Sequence, residues 1–123
     1  MKKDLLQGLC LVTDRKVGNG AGLIACLREA LTAGVKAVQL REKDLPGGEL
    51  LRLAKELRSL TAEFGAALIV NDRVDVALSA GADGVHLGQN SVSPKDVRSV
   101  TKERLVIGVS THSIEEAARA EDD

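Results

Sequence analysis

The stretch VKAVQLREKDL at 35–45 sets Gln39, Arg41 and Lys43 at alternate positions directly after an apolar run. Residues i, i+2 and i+4 of an extended strand share a face, so an amide and two cations would converge where that strand ends. A guanidinium offers paired N–H donors and an ammonium a point charge, a combination suited to a phosphate or diphosphate. The competing reading is a loop of solvated charges in which Arg41 and Lys43 pair with their neighbours Glu42 and Asp44.

Three other apolar runs also end in polar groups. Asn71 and Asp72 follow ALIV at 67–70, where an amide and a carboxylate suit a polar ring and a hard cation such as Mg²⁺. Standing just before Arg73, the same two residues are equally good helix N-caps. His86, near the end of GVHL, reads either as a hydrogen-bonded rim residue or as an acid or base near neutral pH. Ser110, with Thr111 and His112, follows the run at 105–109 and is placed to meet a phosphate oxygen. No Ser-His-Asp signature of a hydrolase is present. GNGAG at 18–22 lacks both the GxGxxG spacing and a P-loop lysine, so it reads as a flexible connection.

These groups need a frame to bring them together. Five short apolar runs, at 9–13, 37–40, 67–70, 84–87 and 105–109, alternate with segments of helical spacing at 21–33, 46–64, 73–80, 94–101 and from 113 onward. The clearest helix carries Leu50, Leu53, Leu57, Leu60 and Phe64 on one stripe, with Gly65 as its stop. Ser93 with Pro94, and Ser113 with Glu116, are helix-start signals. Consecutively apolar strands between amphipathic helices predict a parallel sheet, either a barrel or a doubly wound sheet.

A repeat favours the barrel: LTAGVKAVQLR at 31–41 aligns without gaps with LSAGADGVHLG at 78–88, which makes Gln39 and His86 equivalent. Barrel sites lie at the C-terminal mouth, and a closed (β/α)₈ barrel takes roughly 200–250 residues. The expected fold is therefore α/β of the TIM-barrel type, one domain over 1–123 with about five βα units, a partial barrel. The last residues, EEAARAEDD, read as a helix interrupted part way. Two open parallel edges predict a homo-oligomer or a partial chain.

Composition narrows the partners. The chain has 44% hydrophobic residues, which predicts a folded core, and Lys plus Arg number 17 against 18 for Asp plus Glu. With that balance and a single aromatic residue, Phe64, neither nucleic acid nor a membrane surface is an expected partner. No run reaches transmembrane length and the N-terminal stretch lacks a cleavage-site pattern, so a cytoplasmic protein is expected. Cys10 and Cys26 lack metal or disulfide spacing and read as reduced packing residues.

The phrases LVTDR, QLREKDL, IVNDRVDVAL, GADGVHLGQ and IGVSTHS, in this order and spacing, resemble the thiamine phosphate synthase family from about residue 9 to residue 123. The resemblance implies a transferase that joins hydroxymethylpyrimidine diphosphate to thiazole phosphate, giving thiamine phosphate and pyrophosphate. It implies that Gln39, Leu40, Arg41, Glu42 and Lys43 form a segment binding the pyrimidine diphosphate, with Asn71 and Ser110 alongside. It also implies Mg²⁺ on Asp72.

One departure stands out. The family's second magnesium carboxylate, in a GQxD pattern, is replaced in GQNS by Ser91. Ser91 is then a neutral and weaker ligand, with water or Asp44 as substitutes, or only a loop residue ahead of Ser93. The family's later strands, which carry the rest of the thiazole site, have no counterpart in these residues. Two alternatives follow: a barrel relative that isomerises the thiazole carboxylate without diphosphate or metal, and a non-catalytic fragment that oligomerises through its edges.

Overall fold

The computed structural model describes residues 10–15 and 22–109. Along the chain it runs β1 (Cys10–Val12), α1 (Leu23–Thr32), β2 (Ala37–Leu40), α2 (Gly47–Glu63), β3 (Ala67–Asn71), α3 (Val74–Ala80), β4 (Gly84–Leu87), α4 (Pro94–Thr101) and β5 (Val106–Val109). Through β5 the expected order is recovered, with ends shifted by a residue or two, and the helix expected from 113 onward lies outside the described residues. The capping box expected at 113–116 lies outside the described residues.

All strands are parallel and each lies beside the next, in the order β1-β2-β3-β4-β5. Strand-helix-strand crossovers are right-handed, so a sheet whose order never reverses carries its helices on one face. A doubly wound sheet reverses at a switch point; this one does not. The fold is an arc of a βα barrel.

Alternation divides the strands between two faces. Val38, Leu40, Leu68, Val70, Val85 and Leu87 join Leu27, Leu31, Leu57, Leu60 and Val97 of the helices in one buried cluster. Each such side chain contributes about 1.5–3 kcal/mol by leaving water. The opposite face carries mostly small or polar residues at the intervening positions, among them Ala37, Gln39, Ala67, Asn71, Gly84 and His86, with Val12 and Ile69 as larger apolar neighbours of Gln39. The amphipathic strands therefore place amides and an imidazole on the face away from the helices.

The repeat is visible in the backbone. Gly34 and Gly81 both have positive φ, 111° and 70°, as a left-handed helix stop requires. The bonds Gly34 N–H to Leu31 O and Val35 N–H to Ala30 O recur as Gly81 N–H to Leu78 O and Ala82 N–H to Ala77 O. Equivalent stops launch equivalent strands, which is why Gln39 and His86 stand on the same face.

At the N-terminal edge of the sheet, Arg58 of α2 donates to Asp83 at 2.7 Å and to the carbonyls of Ala66 and Gly81 at 3.3 Å. Asp83 also accepts the Leu68 N–H at 2.9 Å. One ion pair thus ties α2 to the loops that begin β3 and β4.

Cys10 and Cys26 are free thiols, but both are exposed, which corrects their expected packing role. Cys10 sits on the outer strand β1, and Cys26 is one residue off the buried Leu27–Leu31 stripe of α1. Among the described residues no helix is long and apolar enough to cross a membrane.

Candidate functional site

The C-terminal ends of β2, β3 and β4 open on a cavity of about 440 Å³. Arg41, Lys43, Asn71, Asp72, His86 and Ser91 all line it, so groups from three strand ends meet in one place. Gln39 sits one step deeper and half-buried, its Oε1 accepting from Asn71 Nδ2 at 3.1 Å. Leu40 is buried, forming part of the wall and of the core.

Glu42 also borders the cavity, but its carboxylate is engaged elsewhere. Its Oε2 accepts from Thr13 Oγ1 at 2.7 Å, and its Oε1 accepts from the Arg15 N–H at 3.2 Å and from Arg15 Nε at 3.0 Å. The other arm of Arg15 holds Asp44. The loop-charge reading, in which Arg41 and Lys43 pair with Glu42 and Asp44, is thereby corrected. A cation arriving from the end of β1 takes both carboxylates, and among the described residues Arg41 and Lys43 form no ion pair.

Asn71 and Asp72 do not cap α3. The N-cap position is Arg73, with no side-chain capping bond; Asn71 is committed to Gln39, and Asp72 accepts a short hydrogen bond from Ser91 Oγ. Asp72 has a φ of 66°, a left-handed conformation that Asp tolerates better than most residues. The turn is pinned by its N–H to His86 O at 2.7 Å, and it brings the carboxylate to the cavity.

Ser91 also accepts the Gly88 N–H at 2.9 Å, so it links its own loop to Asp72. Ser93 caps α4 by accepting the Asp96 N–H at 3.2 Å, with Pro94 in the first turn, as expected. Among the described residues, no group of three or more His, Cys, Asp and Glu side chains could enclose a metal ion.

Arg73 also lines the cavity, a position that strand alternation alone does not single out. Its guanidinium bonds Asp75 through Nε at 3.1 Å and its terminal nitrogen at 2.9 Å, and holds that carboxyl below its usual range. A side chain at Gly47 would come within 3.0 Å of the guanidinium. Its sequence signal is the NDR triplet itself, whose third residue follows Asn71 and Asp72 at the same strand end. Ser110, Thr111 and His112 lie outside the described residues.

His86 is half-buried and rests against Gly108, where a Cβ would stand 3.0 Å from its Nδ1. Burial pushes its pKa below the usual 6.5, so the native state holds the ring neutral at pH 7. The unfolded chain protonates it near pH 6.5. The stability it contributes is therefore whole above that pH and is lost as pH falls through the lower native value. We expect the urea midpoint to fall more between about pH 7.5 and pH 5.5 in the wild type than in His86→Gln; equal falls would contradict this assignment.

Consecutive parallel strands, helices on one face and polar groups gathered at the strands' C-terminal ends define a βα-barrel protein of the kind that places its chemistry at that mouth. Sequence comparison makes the assignment particular: residues 9–123 match the thiamine monophosphate synthase family, and the chain belongs to it. It is 44% identical over 115 residues to thiamine-phosphate synthase of Clostridioides difficile, covering 94% of this chain and 55% of that protein. It is 44% identical over 116 residues to the Alkaliphilus oremlandii thiamine-phosphate synthase, covering 94% and 56%. The solved structure of thiamine phosphate pyrophosphorylase from Pyrococcus furiosus superposes with a TM-score of 0.85 at 40% identity, covering 93% of this chain and 55% of the other. The chain thus spans about half the length of the relatives it matches.

Proposed function

We propose that these residues form the pyrimidine diphosphate half of a thiamine-phosphate synthase site, serving transfer of the hydroxymethylpyrimidine group to thiazole phosphate with release of pyrophosphate. The observation that carries the proposal is a pair of cations, Arg41 and Lys43, lining one cavity with Asn71 and Asp72 while their own carboxylate neighbours are ion-paired with Arg15. In this reading Arg41 and Lys43 hold diphosphate oxygens, Gln39 and Asn71 present amides to the pyrimidine, Leu40 walls the site, and Ser110 adds a hydroxyl by family likeness.

Breaking the carbon–oxygen bond sends its electron pair to the departing pyrophosphate and leaves a pyrimidine carbocation. Negative charge on the leaving group rises during that step, so fixed cations there bind the transition state better than the substrate. Asp72 and the Ser91 hydroxyl are hard oxygen donors, and one carboxylate completed by substrate phosphates is a usual set for Mg²⁺. Bound there, Mg²⁺ would supply further charge neutralisation at the leaving group.

Among the described residues β1 and β5 are each paired on one side only. We read them as the edges at which further barrel strands pair, from more polypeptide or from a second copy.

The test is calorimetric titration of the chain with inorganic pyrophosphate, with and without MgCl₂, followed by assay of thiamine phosphate formation. Saturable binding that Mg²⁺ strengthens is expected. Absence of saturable binding would overturn the proposal, as would diphosphate-independent isomerisation of the thiazole carboxylate.

A further inference from the structure

We infer that Thr13, Arg15 and Glu42 form a positioning clamp that keeps the loop's own negative charge away from Arg41 and Lys43, and thereby sets how strongly this mouth binds a diphosphate. The inference rests on reading the mouth as a diphosphate site. None of its lining residues is Thr13 or Arg15, so both act through the residues they hold.

The sequence Arg41-Glu42-Lys43-Asp44 alternates in sign and is neutral as a unit. A mobile Glu42 between two cations would fold onto one of them and compete with any incoming anion. The structure removes that competitor: both Glu42 oxygens are bonded by Thr13 and Arg15, and its side chain is only 4% exposed. The same guanidinium takes Asp44, so one added cation leaves the loop with a net positive charge.

Thr13 supplies the geometry. Its hydroxyl donates to Glu42 and accepts the Arg41 N–H at 3.0 Å, while its own N–H donates to Gln39 O at 2.9 Å. Thr13 therefore fixes the backbone just before and just after Leu40, from which Arg41 leaves β2. β1 contributes no wall to the cavity, yet the residue just beyond it holds the backbone N–H of the first cation.

The clamp predicts a result that a purely structural contact would not. Arg15→Met should free Glu42 to compete with the anion and weaken inorganic pyrophosphate binding by about tenfold. Adding Glu42→Gln to it removes the competitor and should restore affinity to within about threefold of wild type, although the contact is still broken. Titration calorimetry on the 123-residue chain, with thermal melts alongside, reads both effects. Arg15→Gln, which keeps an amide donor for Glu42, serves if Arg15→Met does not fold, and should also weaken binding.

Wild-type affinity in a folded Arg15 variant would overturn the clamp, as would a double variant no tighter than Arg15→Met. Failure of the wild-type chain itself to bind pyrophosphate would instead overturn the diphosphate reading beneath it. The two failures are therefore distinguishable.

Discussion

Arg41→Ala is expected to weaken inorganic pyrophosphate binding by about 10- to 100-fold, the range for losing charge-assisted hydrogen bonds to an anion. The fold should hardly notice. Arg41 is exposed and, among the described residues, forms no ion pair, and substitutions at such positions change stability by only about 0.5 kcal/mol. Affinity falling while the melting temperature stays put would separate a binding cation from a structural one. Arg41→Lys should recover part of the loss, since an ammonium keeps the charge but not the paired donors. Calorimetry at two salt concentrations checks both variants; unchanged affinity in Arg41→Ala would place the diphosphate elsewhere.

The second large effect lies at the other end of the sheet. Asp83→Ala should destabilise the fold by about 2–4 kcal/mol, because it leaves a cation without its anion and a backbone N–H without its acceptor. The Arg58 and Asp83 side chains are 24% and 15% exposed, too sheltered for water to replace the pair fully. Asp83→Asn retains an oxygen for the Leu68 N–H and should cost less. Urea denaturation measures the difference, and a loss under about 0.5 kcal/mol for Asp83→Ala would show the pair to be no more than a surface contact.

On the proposed reading, pyrophosphate affinity and fold stability are expected to depend on opposite edges of the sheet. The C-terminal edge gathers the cavity residues, including a left-handed Asp72 and an Arg41–Lys43 pair unbalanced by neighbours. The N-terminal edge is cross-tied by Arg58 and Asp83. Changes at one edge should leave the other's measurement nearly unmoved, as sites without shared partners generally do.

Much of this was legible in the residues alone. Apolar runs bounded by Gly, Pro and Ser marked the strands and helices, because burial and backbone freedom are local consequences of side-chain type. The aligned repeat pointed to the barrel and to the equivalence of Gln39 and His86, and the phrases around QLREK and NDR identified the family. What stayed hidden was who pairs with whom. Arg15 with Glu42, Ser91 with Asp72 and Arg58 with Asp83 join residues separated by 27, 19 and 25 positions.

Such pairings depend on strand register and on turn conformations that no spacing rule supplies. Sequence neighbours left open whether Glu42 and Asp44 would quench Arg41 and Lys43, and whether Asn71 or Asp72 would cap a helix. The tertiary structure decided against both, because parallel pairing of β1 with β2 carries Thr13 and Arg15 alongside the loop, and the left-handed turn at Asp72 meets the loop after β4. By itself the sequence determined a βα-barrel chain of one family with polar groups at its strand ends; only the folded structure decided which of those charges pair with one another, because ion pairs between distant segments depend on strand register and turn conformation.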